Sequence, residues 1–404
     1  MDEVEPLLQG IKVLEIATYI FGPGSAAILS DFGAEVIKIE EPGRGDPLRY
    51  AHKAPPFIPL EFGYIWQQDN RNKRSIGLDM KSTEGREILL KLVREADILI
   101  TNFPPDVLAR LKIRYEDLAP ENERLIYGQI TGFGEKGPEA SAPGFDATAY
   151  WARSGLMDTV HTANSEPSMS SPGMGDHPSA MTMYAAIMTG LYKRQRTGRG
   201  GKVHSSLLAN GLWTAASSLS CVLAGGGAVQ NPSLTEPTNA LLNHYQTRDG
   251  RWLLLVILHQ NKHWPGLLKA LGRDDLLADP RFIDIKQRND NAKLLAPILA
   301  ETFKNRDLFE WRERLQAEKL TFSVLATMEE VIDDPQVLAN DMLIDVEGHN
   351  YGRGQAVNSP FWVEGSDKVP AHIGPEPGAS GAEILRELGY GEERIEQLSS
   401  KNII

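Results

Sequence analysis

The sequence predicts an α/β protein: a large domain built on a doubly wound, mostly parallel sheet, with a second, smaller α/β domain. Over the first 130 residues, short apolar runs alternate with amphipathic stretches of helical spacing. Those runs are nearly continuous in apolar residues, as strands covered on both faces require. A glycine-rich tract, Ala224-Gly225-Gly226-Gly227-Ala228, then precedes a region where strand and helix patterns recur on a smaller scale.

Taken in order, Ile11–Ile16 reads as the first strand and residues from about Gly24 to Asp31 as a helix of small side chains. Glu35–Ile39 is the next strand, entered through Gly33. A helix from Thr83 to Glu95 leads into the strand Ile98–Ile100, and Leu125–Ile130 is a further strand. Residues from about Gly144 to Ala224 read mostly as helix, interrupted by the glycine-rich approach to Asp176. The tract Arg194–Gly201 reads as a helix end whose positive charge complements the helix C-terminus. Beyond Asn239, strands near Leu241–Gln246 and Trp252–Leu258 meet at the turn Arg248–Arg251, and amphipathic helices run to about Asn340. Short strands, a proline-rich linker over Pro370–Pro377 and a helical pair close the chain.

Composition narrows the class. The 404 residues carry a net charge of -12 with 41% hydrophobic side chains, which suits a globular enzyme and argues against nucleic acid as the main partner. No apolar run is long enough for a transmembrane helix, and the acidic start, Met1-Asp2-Glu3-Val4-Glu5, has no secretory pattern, so a cytoplasmic protein is expected. The single cysteine, Cys221, excludes an intrachain disulfide and a multi-thiolate zinc site; within an apolar helical run it reads as a buried small residue.

Gly22-Pro23-Gly24-Ser25-Ala26-Ala27 imitates a dinucleotide fingerprint, with Glu40 ending the next strand. The first glycine of that fingerprint should follow the strand directly, whereas Thr18-Tyr19-Ile20-Phe21 intervenes. No metal site is expected: the nearest histidines, His259 and His263, lack the glutamate of a metalloprotease motif. With neither a Walker loop nor a G-x-S-x-G elbow, carboxylates are the best nucleophiles left. Asp176 ends Ser171-Pro172-Gly173-Met174-Gly175-Asp176 and opens a helix pattern in which Met181, Tyr184, Ile187, Met188 and Leu191 would share a buried face. A carboxylate so placed suits an N-cap, and equally a nucleophile with little side-chain bulk above it. Basic residues gather near the strand ends: Lys73, Arg74 and Lys81 flank Ser75–Leu78, and Arg110 lies one short helix after Asn102-Phe103. Residues following consecutive parallel strands converge on one crevice, where Lys81 and Arg110 would hold phosphates and Phe103 would pack on a flat ring.

Together these segments resemble the class III coenzyme A transferases, the family that includes formyl-CoA:oxalate and carnitine CoA-transferases. The resemblance runs in order through Leu8–Glu15, Gly33–Glu40, Asn72–Ile76, Asn102-Phe103, Gly132-Phe133-Gly134, Arg196–Gly200 and Leu385–Tyr390. It implies that Asp176 is the nucleophile. The aspartate would attack an acyl-CoA thioester to give a mixed anhydride, take up CoA as an aspartyl thioester, and pass it to an acceptor carboxylate. It further implies CoA contacts at Thr18, Tyr19, Ile20, Phe21, Leu78, Lys81, Asn102, Phe103 and Arg110. The CoA thioester would be a substrate, with no permanently bound cofactor. The partners implied are an acyl-CoA donor, a carboxylic acid acceptor, and a second copy of the chain in an interlocked homodimer, or else a homologous subunit.

The departures bear on specificity. Ile20 stands where formyl-CoA enzymes have a glutamine, Glu41 where they have a basic residue (Arg44 being a substitute nearby), and Pro143 where they have a lysine. These point away from an oxalate-like diacid and toward a larger, aromatic, branched or 2-hydroxy acid, with Phe145 and Tyr150 as pocket candidates. Racemases of the same superfamily carry G-H-D where this chain has Gly144-Phe145-Asp146, and phenylalanine cannot move a proton. A 2-methylacyl-CoA racemase or epimerase of the same superfamily and a non-catalytic CoA-binding subunit are the alternatives. The expected domains are a large CoA-binding domain over 1–220, a small domain over 221–335, and a segment over 336–404 that returns to the large one.

Overall fold

A computed structural model describes residues 5–228 and 231–404. Residues 1–4, which entered the reading of the N-terminus, and residues 229–230 beside the expected boundary lie outside the described residues.

Six strands form one parallel sheet: β1 Lys12–Ile16, β2 Glu35–Glu40, β3 Lys73–Gly77, β4 Ile98–Thr101, β5 Ile126–Thr131 and β6 Gly201–Ser206, in the order β3-β2-β1-β4-β5-β6. The order reverses between β1 and β4, and ligands of such sheets bind beyond the strand ends at that reversal. Successive residues of a strand face opposite ways, and here both ways are apolar. Leu14, Ile37, Leu99 and Tyr127 pack under Leu89 and Leu92 of the helix Thr83–Glu95 and under Leu385 and Leu398 near the C-terminus. Val13, Val36, Ile98 and Ile126 pack under Leu29 and Phe32 at the helix Phe21–Asp31 and under Met183 and Ile187 of the helix Asp176–Thr197. This is the doubly wound arrangement the alternation predicts.

Three local expectations are corrected. β6 lies inside the stretch read as helix: Gly201-Lys202-Val203-His204-Ser205-Ser206 alternates in exposure, and its pairing with β5 makes it a strand. The buried stripe of the helix Asp176–Thr197 is Ala180, Met183, Ile187 and Gly190; of the apolar set read in the sequence Ile187 lies on it, and Met181, Tyr184, Met188 and Leu191 are partly buried beside it. Its smallest member, Gly190, packs on Ile126 and Val203, so the closest approach is made where side chains are absent. Cys221 is exposed, because the helix Ala216–Leu223 that carries it has no buried residue.

The chain divides into two units, one of residues 1–158, 168–228 and 338–404, the other of residues 159–167 and 229–337. Set beside the expected divisions at 220 and 335, the first unit continues to 228, and 159–167 group with the second. The second unit holds an antiparallel sheet of β7 Leu242–Gln246, β8 Trp252–Val256 and β9 Phe322–Val324. Tyr245, Leu253, Leu255, Phe303 and Trp311 fill its core. In the first unit, β10 Leu343–Glu347 pairs with β11 Gln355–Val357 and β12 Ala371–His372. No helix among the described residues is long and apolar enough to cross a membrane.

Beneath the crevice of the first unit lies a buried charge lattice. Glu15 on β1 accepts from Lys38 on β2 at 2.5 Å and from Lys73 on β3 at 2.5 Å, and Asp46 lies 3.0 Å from Lys38. All four side chains are buried. Removing one partner from such a cluster leaves charge stranded in the core, so Glu15→Gln is expected to cost about 3–5 kcal/mol. Urea unfolding checks this, and a loss below 1 kcal/mol would mean that the lattice behaves like a surface ion pair.

Candidate active site

The loop after β1 is held by side chains from neighbouring strand ends. Asn102 accepts from the Thr18 N–H at 3.0 Å and donates to the Thr18 carbonyl at 2.7 Å. Asp46 accepts from the Tyr19 N–H at 3.2 Å, and Tyr19 sits in the left-handed region with φ 64°. The glycines of the imitated fingerprint serve packing. A Cβ on Gly22 would meet the Ala17 side chain at 2.6 Å, and one on Gly24 would meet Ala180 and Asp69 at 3.2 Å. Glu40 is engaged by Arg49 at 2.8 and 2.6 Å and by the Ser75 hydroxyl at 2.6 Å, which leaves it unavailable to a ribose.

Asp176 is the first residue of the 22-residue helix Asp176–Thr197, and Gly175 occupies the N-cap. The carboxylate therefore does not cap, and among the described residues it accepts no hydrogen bond. Asp146 fixes the approach: its two oxygens accept from the Gly175 N–H at 3.1 and 3.0 Å. Gly175 is sterically required, because a Cβ there would lie 2.4 Å from both an Asp146 oxygen and the Tyr150 ring. Burial, then the neighbouring Asp146 charge, push the Asp176 carboxyl up to about 7, while His177 works in the opposite direction. His177 donates from Nδ1 to the Gly173 carbonyl at 3.0 Å and from Nε2 to Asp69 at 3.2 Å. Burial disfavours its charge, yet Asp69 raises the ring to about 9.

Two cavities open above the strand ends of the first unit. One, of about 650 Å³, is lined by Asp176, Thr18, Tyr19, Ile20, Phe21, Asn102, Phe103 and Phe145, with Phe57 and Met169 among its apolar walls. Phe145 is 55% exposed and meets the Tyr19 ring edge-on at 5.8 Å between centroids. The other, of about 860 Å³, is lined by Leu78, Lys81 and Arg110, with Arg44 at its rim. Thr18 and Phe103 line both. Lys81 and Arg110 are exposed and have no ion pair among the described residues.

A family model described as CoA-transferase family III matches residues 8–380. The chain belongs to this family. It is 34% identical to the (R)-2-hydroxy-4-methylpentanoate CoA-transferase of Clostridioides difficile, over 98% of this chain and 99% of that protein. It is 32% identical to the cinnamoyl-CoA:phenyllactate CoA-transferase of Clostridium sporogenes, over 98% and 97% of the two chains. A solved structure of a CAIB/BAIF family protein from Brucella suis, 30% identical, superposes with a TM-score of 0.85 over 95% of this chain and 100% of that one. The protein is a class III CoA-transferase that works on acyl-CoA thioesters and carboxylic acids.

Each residue that the family resemblance suggested for CoA in this transferase lines at least one of the two cavities. Two differ in how they are deployed. The Asn102 amide is committed to the Thr18 backbone, and Leu78 is a buried wall rather than a polar contact. Tyr150 is corrected: it is 4% exposed, does not line the cavity, and its hydroxyl pairs with Thr214 at 2.8 Å behind Gly175. Lys73 is spent on Glu15, and Arg74 on Glu35 and Glu387, so neither is free for phosphate. Sequence reasoning missed Asp69. It lies 108 positions from His177, and only the histidine directly after Asp176 hinted at a charged neighbour.

Proposed function

We propose that this transferase moves CoA from an acyl-CoA to a branched or aromatic 2-hydroxy acid through covalent intermediates on Asp176. The single observation that carries the reading is an unbonded carboxylate opening a long helix into an apolar cavity, which adjoins a basic cavity through Thr18 and Phe103. An Asp176 oxygen attacks the thioester carbonyl; the C–S bond breaks and the thiolate departs, leaving a mixed anhydride. The thiolate then attacks the aspartyl carbonyl, expelling the donor carboxylate and forming the aspartyl-CoA thioester. The acceptor carboxylate reverses both steps, so the energy of the thioester is conserved if water stays out. Walls such as Ile20, Phe57, Phe145 and Met169 suit that exclusion and favour an acceptor with an apolar side chain. The names of the two clostridial relatives, with a branched and an aromatic 2-hydroxy acid, point the same way.

The nucleotide end of CoA is assigned to the second cavity, where binding energy remote from the reaction orders the reacting end. Lys81→Ala and Arg110→Ala are each expected to raise KM for acyl-CoA about tenfold at low salt, with kcat little changed. Steady-state kinetics at two ionic strengths would check this; a fall in kcat at constant KM would move both residues out of nucleotide binding. A homodimer is supported by the helix Ala216–Leu223, which buries none of its apolar side chains within the chain, beside Trp213 at 82% exposure. The lone cysteine supports a cytoplasmic setting.

The deciding experiment is intact-protein mass spectrometry after mixing with acetyl-CoA or succinyl-CoA, followed by peptide mapping. A CoA or acyl adduct on the Asp176 peptide, discharged by added phenyllactate, is expected. Turnover with the adduct on another peptide would overturn the assignment.

A further inference from the structure

We propose that His177, kept as an imidazolium between Asp69 and the Gly173 carbonyl, is a positioning residue that holds the Asp176 carboxylate in its charged, nucleophilic form. The inference rests on the reading of Asp176 as nucleophile and deepens it. A carbonyl oxygen and a carboxylate can only accept, so the contacts at 3.0 and 3.2 Å make both ring nitrogens donors. Gly173, at φ +80°, turns its carbonyl back onto the ring, and the bare Gly24 leaves room for Asp69. Asp69 is only 2% exposed, and its second oxygen is buried without a hydrogen-bond partner among the described residues. Its charge is answered by His177, with Lys73 and Arg71 contributing through the surrounding field.

Among the described residues, the charged groups that act on Asp176 are Asp146, Asp69 and His177, and of these His177 alone is positive. Without it, three carboxylates would share one end of a helix, and Asp176 would keep its proton to higher pH. A protonated carboxyl does not attack a thioester. The same positive charge favours the CoA thiolate as it departs from the acyl carbon.

The sign of the effect follows directly. Replacing His177 removes the influence that lowers the Asp176 pKa, so the acid limb of the reaction moves to higher pH. With 47% of the His177 side chain accessible, solvent screens the pair. The shift expected for His177→Gln is therefore about one pH unit, at the low end for a neighbouring charge.

The test measures the rate of adduct formation on Asp176 with acetyl-CoA from pH 5 to 9, in the full-length enzyme and in His177→Gln. A midpoint displaced upward by about one unit, with the rate recovering at high pH, is expected. An unmoved midpoint would overturn the inference. If the unsubstituted enzyme turns over without an adduct on Asp176, the nucleophile itself is wrong, which is a different failure. Ring nitrogen NMR supplies a readout independent of activity. His177 should remain doubly protonated at pH 8 and become neutral there in Asp69→Asn. A neutral ring at pH 8 in the unsubstituted protein would also overturn the inference.

Discussion

Asp176→Asn is expected to lose transferase activity on the order of 10⁴-fold while gaining stability at neutral and alkaline pH. The activity loss would follow from removing the proposed nucleophile while keeping its shape. The stability gain follows from linkage. The folded-state pKa of about 7 lies above the ordinary 3.8, so the native state holds a proton that the unfolded chain releases. Between pH 4 and 7 this makes stability fall as pH rises, and above pH 7 the full cost of the partly buried charge is present. Asparagine carries no such cost, so the variant should exceed the parent by about 2–4 kcal/mol at pH 8, with the difference gone by pH 4. Urea titrations at both pH values measure it. Equal stability at pH 8 would show that Asp176 is no more strained than a surface carboxylate, and preserved turnover would remove it from the chemistry.

Gly175→Ala is expected to lower kcat about a hundredfold, the scale of a displacement near 1 Å at a reacting group, and to destabilise by about 1–3 kcal/mol through overpacking. With φ -101°, Gly175 is not there for backbone freedom. The space for a methyl group is already filled by an Asp146 oxygen and by the Tyr150 ring, each at 2.4 Å. Both neighbours are fixed, Asp146 by the Gly175 N–H and Tyr150 by Thr214. The helix start must move instead, and Asp176 moves with it. KM for acyl-CoA should stay near the parent value, because the basic cavity is untouched. Unaltered kcat in a stably folded variant would mean that the approach tolerates rearrangement without cost to the reaction.

Much of this architecture is legible in the chain because it depends on local pattern. The strands Glu35–Glu40 and Ile126–Thr131 and the helix Thr83–Glu95, capped by Ser82, all stand where apolar spacing and capping residues put them. The loss of β6 has a physical cause: Lys202, His204 and paired serines give an edge strand that only its neighbour β5 specifies. At the candidate site, the glycine-rich approach marks the helix start at Asp176, and strand-end logic puts Lys81 and Arg110 at one cavity. Pairings across long sequence separations carry no local signature. Lys73 and Lys81 look alike in the chain, yet one is buried against Glu15 and the other faces a cavity. Phe145 and Tyr150 likewise stand close together in the chain, and only packing decides which is core and which is wall. Asp69 is invisible for the same reason.

The way the loop after β1 is tied down has a consequence for how new specificities arise. Its backbone is anchored by Asn102 just after β4 and by Asp46 of the charge lattice, so the floor shared by both cavities belongs to the sheet itself. The wall around Asp176 is different in origin: Phe57, Ala140, Phe145 and Met169 come from connecting segments that contribute nothing to the sheet. Mutation can therefore redraw the proposed acceptor pocket while the floor proposed to hold the handle common to all CoA thioesters stays fixed. A scaffold divided in this way lends itself to divergence by loop exchange, one acid at a time, without relearning the chemistry.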